Sequence, residues 1–257
     1  MIKHIVQAKG GLHNRLSQTI SLQPFNLSEV REFLQDRGLN YAFPQVTELF
    51  LAFGGVPYYL SLLRSEESPT QAISRLCFGH GALRNEFDVM FKALFSEHSQ
   101  HEAIIRALAE KRRGLTRKEL LEKLDISTGG RVDLWLQDLE QCGFISQIPF
   151  VEGKKKTTYY RVIDEFLLFH LRWIEGAGKG VLADDHDHFL LQKSTQAYES
   201  WSGFAFENVV FQHLKQVKAA LGLQKISVEA AVWQKKVAKL EKDKGVFSVE
   251  CGSSFRK

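Results

Sequence analysis

Gly54-Gly55-Val56-Pro57-Tyr58-Tyr59-Leu60 stands between two helical runs in the first third of the chain, and the fold is read outward from it. A Gly-Gly pair ends a helix at little cost, because the first residue past the end commonly needs φ > 0. A proline shortly afterwards suits the first turn of a new helix, where its missing N–H has no partner to lose. The stretch therefore predicts a rigid corner that sets Pro57 and an aromatic pair at a helix N-terminus. By itself it also reads as a plain helix–turn–helix corner with no ligand.

Around the corner, apolar spacing and caps predict helices over 29–37, 47–53, 58–63, 69–78 and 85–95, the last with Phe87, Met90, Phe91 and Leu94 on one face. Between the last two, 78–84 reads as a loop. Residues 102–163 carry the clearest fold signal. A helix over 102–111 turns Ile104, Ile105 and Leu108 inward, and Thr116 with Glu119 makes a capping box that opens a helix to Leu124. A third helix over 131–141 carries Val132, Leu134, Leu136 and Leu139. A hairpin follows, 144–150 and 157–162, around Gly153-Lys154-Lys155-Lys156. Three helices and a basic hairpin predict a winged helix-turn-helix. Arg131, Lys154, Lys155 and Lys156 suit phosphate contacts. Asp133, Asp138 and Glu140 put acid on the same helix, so double-stranded DNA and a protein partner both stay open, and the lysines also read as a solvated hairpin tip. From Asp164 the chain is helical and apolar, expected to bury against the winged helix, and another helix runs from Trp201 to about Leu221.

The 257 residues suffice for one or two domains with real cores, and 44% hydrophobic with 25% charged is an ordinary globular balance. No apolar run nears the roughly 18 residues that span a bilayer, and Met1–Val6 is too short and polar for a secretory signal. Cys77, Cys142 and Cys251 are odd in number and far apart, which suggests neither a disulfide framework nor a zinc site and points to a cytoplasmic protein. A net charge of +4 permits a nucleic-acid partner without requiring one. His98 and His101 read as solvated linker. Asp184-Asp185-His186-Asp187-His188 has a metal-like composition, but consecutive residues diverge in direction, and no metal site is expected.

The order Gly10-Gly11-Leu12-His13-Asn14-Arg15-Leu16, Ile20-Ser21-Leu22-Gln23-Pro24-Phe25, Ser28-Glu29-Val30-Arg31-Glu32-Phe33-Leu34 and then Gly-Gly-Val-Pro resembles the prokaryotic AAA+/STAND-type P-loop ATPases, from about residue 2 to about residue 233. The matching part is the end of the nucleotide-binding domain and the helical lid. The resemblance implies ATP and Mg²⁺, with Gly55 and Pro57 lying against the nucleotide. Arg15, just before the last core strand (19–22), stands where an arginine finger can stand; it also reads as a surface arginine. The string G-x-x-x-x-G-K-[ST] is absent. Gly176-Ala177-Gly178-Lys179-Gly180 fails it at Gly180 and reads as linker. A Walker B run is absent too, so the resemblance implies an internal fragment that begins inside the ATPase domain and lacks its own hydrolysis. Trp201-Ser202-Gly203-Phe204-Ala205-Phe206-Glu207-Asn208-Val209 is similar to the opening of the restriction-endonuclease-like domain of that family. Glu207 matches a first-helix metal-positioning acid there, or is a plain helix residue; no later acids match in 234–257.

The expectation is thus a mainly α chain, α+β overall, in four parts. Residues 1–25 are a remnant of the ATPase core, 26–98 a helical lid, 99–176 a winged helix-turn-helix and 177–257 a truncated α/β nuclease-like domain. The function expected is a truncated ATP-binding member of the family. The alternatives are a winged-helix DNA- or protein-binding adaptor and a decayed gene product. The open edge of the truncated sheet suggests poor solubility, a partner or an oligomer.

Overall fold

The first helices turn around the glycine corner. α1 (Leu27–Asp36) opens on a capping box: the Asn26 side chain accepts from Ser28 and Glu29 N–H, and the Glu29 carboxylate accepts from Asn26 N–H at 2.8 Å. α2 (Phe43–Phe53) starts ahead of the predicted residue 47, because Pro44 fits inside the first turn, where no N–H is needed. Gly54 ends it at φ 61°. Gly55 lies beneath the chain at residue 25, where an added Cβ would meet the Phe25 carbonyl oxygen at 1.8 Å. The Phe25 N–H donates to the Gly55 carbonyl at 2.8 Å, fastening the crossing. α3 (Pro57–Ser61) and α4 (Pro69–Cys77) both begin on proline, the second capped by Ser68.

This is a computed structural model, and it describes residues 22–111, 113–126, 130–152, 155–177, 188–223 and 232–233. The chain is mainly α with a small sheet. Among the described residues no helix is long and apolar enough to cross a membrane.

Four helices come next: α5 (Glu86–Leu94), α6 (His98–Ala109), α7 (Arg117–Leu124) and α8 (Gly130–Gln141). The Thr116–Glu119 capping box is present at α7. The interval at His98 and His101, expected as solvated linker, is helix. His101 is 3% exposed and stacks on Phe95 with ring centroids 4.0 Å apart, so it is core. On α8, Leu134 faces out at 53% exposure and Trp135 turns in. The hairpin of β1 (Ile145–Glu152) and β2 (Lys155–Val162) pairs antiparallel from Ile145 opposite Val162 to Glu152 opposite Lys155. Leu115 and Tyr160 exchange backbone hydrogen bonds of 3.0 and 2.8 Å on the outer edge of β2, and β3 (Val232–Trp233) pairs parallel on the far side of β1.

After β2 come α9 (Glu165–Phe169), a π turn (His170–Ile174), a 3₁₀ turn (Glu175–Ala177), α10 (His188–Lys193), α11 (Gln196–Gln212) and α12 (Leu214–Ala220). Thr195 caps α11, which therefore starts before Trp201.

Two cores result. The first joins α1–α4 to Phe166, Phe169, Trp173, Phe189, Tyr198 and Val209, more than eighty residues further along the chain. The second joins Phe87, Phe91 and Phe95 to α6–α8, the hairpin base and Leu167. α9 thus gives Phe166 and Phe169 to one core and Leu167 to the other. The expectation that the run after Asp164 buries against the hairpin module is met by one face only.

Candidate functional site

At the corner, Gly54 and Gly55 are buried while Pro57 and Tyr58 are exposed, Tyr58 to 59%. Tyr59 turns inward: its ring lies 4.8 Å from that of Phe166, and its hydroxyl donates to Glu86 Oε1 at 3.1 Å. The corner therefore rests directly on α9, the helix that follows the hairpin. Arg15 lies outside the described residues, as do Lys154, the run 184–187 and most of the tail.

On α8, the basic residue singled out from sequence is engaged. The Arg131 guanidinium meets the Glu97 carboxylate, which also accepts from Trp135 Nε1 at 2.9 Å. These donors hold the Glu97 carboxyl below its ordinary range, the Trp135 hydrogen bond contributing most. Arg117 grips Asp133 through two hydrogen bonds of 2.7 and 3.0 Å and lowers that carboxyl too. The outward face of α8 thus presents paired charges around exposed Leu134, with no surplus of cation. Lys155 and Lys156 open β2 opposite Glu152 and Val151.

A buried polar joint, unforeseen from the sequence, forms where β2 runs into α9. Arg161 is 6% exposed, and its guanidinium lies 3.6 Å from the Glu207 carboxylate and over the Phe211 ring. Burial lowers its pKa, which the two nearby carboxylates partly offset. Glu165 is 1% exposed: Gln212 Nε2 donates to its Oε1 at 3.1 Å, and Oε2 has no partner. Burial first, then the charge of Asp164, raises the Glu165 pKa well above the carboxylate range. Asp164 caps α9 by accepting from Leu167 N–H at 2.8 Å, and burial pushes it up to about 6. Glu207 sits at this joint as the counterion of Arg161. The available signal was the cluster of charge in Arg161-Val162-Ile163-Asp164-Glu165, unusual beside so apolar a helix.

Next to the joint a cleft of about 700 Å³ opens between α6 and α11, lined by Arg106, Lys111, Arg161, Arg172, Trp201 and Asn208 among others. Arg106 and Glu175 form an ion pair across it. Asn208, 1% exposed, donates from Nδ2 to the Val162 carbonyl at 3.2 Å, and its Oδ1 is unpartnered. An acceptor buried in that way costs about 1–3 kcal/mol. The cysteines offer no reactive thiol among the described residues: burial raises both Cys77 and Cys142.

No family model and no curated protein matches the chain. Among solved structures it is similar to a Walker-type ATPase of Pyrococcus abyssi, at 16% identity and a TM-score of 0.37 over 64% of this chain. The chain spans 47% of that protein's length.

Proposed function

We propose that this chain is a lid-and-adaptor segment of an AAA+/STAND-like ATPase, which senses ATP at the glycine corner and passes that state to a winged-helix module. The division into a lid (26–98) and a winged helix (99–176) belongs to this reading. One observation carries it: Tyr59 of the corner packs on Phe166, and Phe166 belongs to the five-residue helix that links the lid core to the hairpin core. A displacement of the corner has a short, packed route to the hairpin. Gly55 and Pro57 are the residues that would lie against the nucleotide, with Arg15 as a finger toward a neighbouring site, and Mg²⁺ would accompany ATP. The 257 residues contain no P-loop string, so affinity in this chain alone is weak and hydrolysis is not expected.

The test is hydrogen exchange on the whole chain with and without millimolar Mg-ATP. Protection over 54–62, with a smaller change across 145–169, is the expected outcome. Unchanged exchange over 54–62 would sink the nucleotide role.

The α8 surface favours a protein partner over DNA for the winged helix, because Arg131 and Arg117 are spent on carboxylates and Leu134 is exposed. Duplex binding that is salt-sensitive and lost when Lys154, Lys155 and Lys156 become Ala would reverse that preference.

A further inference from the structure

The cleft between α6 and α11 contains groups that neither the lid nor the hairpin uses. Asn208 lines the cleft, and its buried Oδ1 has no partner; such oxygens are seldom left so. Arg161, also lining it, is buried beside its counterion Glu207, 3.6 Å away. The π turn at His170–Ile174 sets exposed Arg172 in the wall while Trp173 turns into the core. Turns of this kind occur often at functional sites. Half-buried Trp201 of α11 and exposed Lys111 complete the lining used here. The two carboxylates in the wall are committed elsewhere, Glu175 to Arg106 and Glu110 to Lys123, and Arg161 has Glu207 beside it, so Lys111 and Arg172 leave the cleft cationic.

We propose that this cleft binds a small anionic molecule bearing a planar ring and an N–H donor, of the nucleoside monophosphate kind. The N–H donates to Asn208 Oδ1, the anionic group meets Arg161, Arg172 and Lys111, and the ring lies against Trp201. Guanidinium groups suit phosphate oxygens by geometry and charge, and a cleft of this size that mixes apolar walls with convergent polar groups can take such ligands. The site is separate from the lid corner, since no residue of 54–60 lines it.

The whole chain is titrated with adenosine monophosphate, and separately with inorganic phosphate and with adenosine, following tryptophan fluorescence and hydrogen exchange. Adenosine monophosphate should bind saturably and protect amides in 106–111 and 197–208 but not in 54–60, with each half-molecule at least tenfold weaker. Asn208→Ala and Arg172→Ala should each weaken binding at least tenfold; Arg172 is on the surface, so its variant stays folded even if the first does not. Three results would overturn the proposal: no saturable binding at millimolar concentration, unchanged affinity in Arg172→Ala, or protection that falls on 54–60. Phosphate binding as tightly as the nucleotide would also overturn it, reducing the cleft to a bare anion site.

Discussion

The two cores of this chain are assembled from opposite kinds of contact. The hairpin-side core draws on one nearly continuous interval, Phe87 to Leu167, in which each helix packs on a close neighbour in sequence. The first core instead unites Leu27–Leu83 with Phe166–Val209, across the whole of the other core. A contiguous core can form early from local contacts, whereas the divided one must first close a long loop. The divided core is therefore completed by the segment that also leaves the hairpin, and its folding depends on the other core.

That difference can be broken most forcefully at Phe169, fully buried in the divided core. Phe169→Ala should cost about 3–5 kcal/mol, and native-state exchange should show 27–83 and 189–209 losing protection together while 104–145 keeps more. Uniform loss everywhere would mean one cooperative unit. Gly55→Ala comes next. Its Cβ cannot fit against the Phe25 backbone without moving the chain, so a loss of about 2–4 kcal/mol in urea unfolding is expected, again confined first to the divided core.

Glu165→Gln sharpens the comparison from the joint. The folded protein holds a proton on Glu165 more tightly than the unfolded chain does, so wild-type stability falls as pH rises above the ordinary carboxylate value. Asp164 acts in the same direction up to about 6. His170, lowered to about 4 by burial, acts the opposite way, losing stability as pH falls below 6.5. Comparing variant with wild type isolates Glu165: urea midpoints from pH 4.5 to 8 should diverge with pH, the variant gaining on the wild type as pH rises. Parallel profiles would show that Glu165 is ionised in the fold. In the contiguous core, Thr116→Ala removes a capping box and should cost about 1 kcal/mol. Arg131→Ala, on an exposed ion pair, should stay within about 0.5 kcal/mol.

The same contrast explains what could be read from the sequence. The capping boxes at Asn26 and Thr116, the corner at Gly54, the inward faces of Ile104, Ile105 and Leu108, and the hairpin span are local signals, and the residues that make them are neighbours in sequence. His101 was misplaced because a polar neighbourhood hid a stacking partner, Phe95, that only helix packing reveals. Arg161, Glu165 and Asn208 form a joint only because α11 returns to β2 from more than thirty residues away. No periodicity announces such a meeting. His213 is a further case: its Nε2 accepts from Leu27 N–H at 2.8 Å while Nδ1 donates to the Val209 carbonyl, tying the head of α1 to the tail of α11.

The π turn at His170–Ile174 has a consequence for the phase of the chain. Such a turn holds one residue more than the α turn it interrupts, and each α-helical residue advances about 100° around the axis. Deleting one residue there would leave a continuous helix, yet rotate everything after it by that angle. Trp173 and Ile174 would turn away from the first core, in which both are buried. The extra residue works as a phase shifter, setting which side chains of one helix face the cleft and which hold the two halves of the chain together.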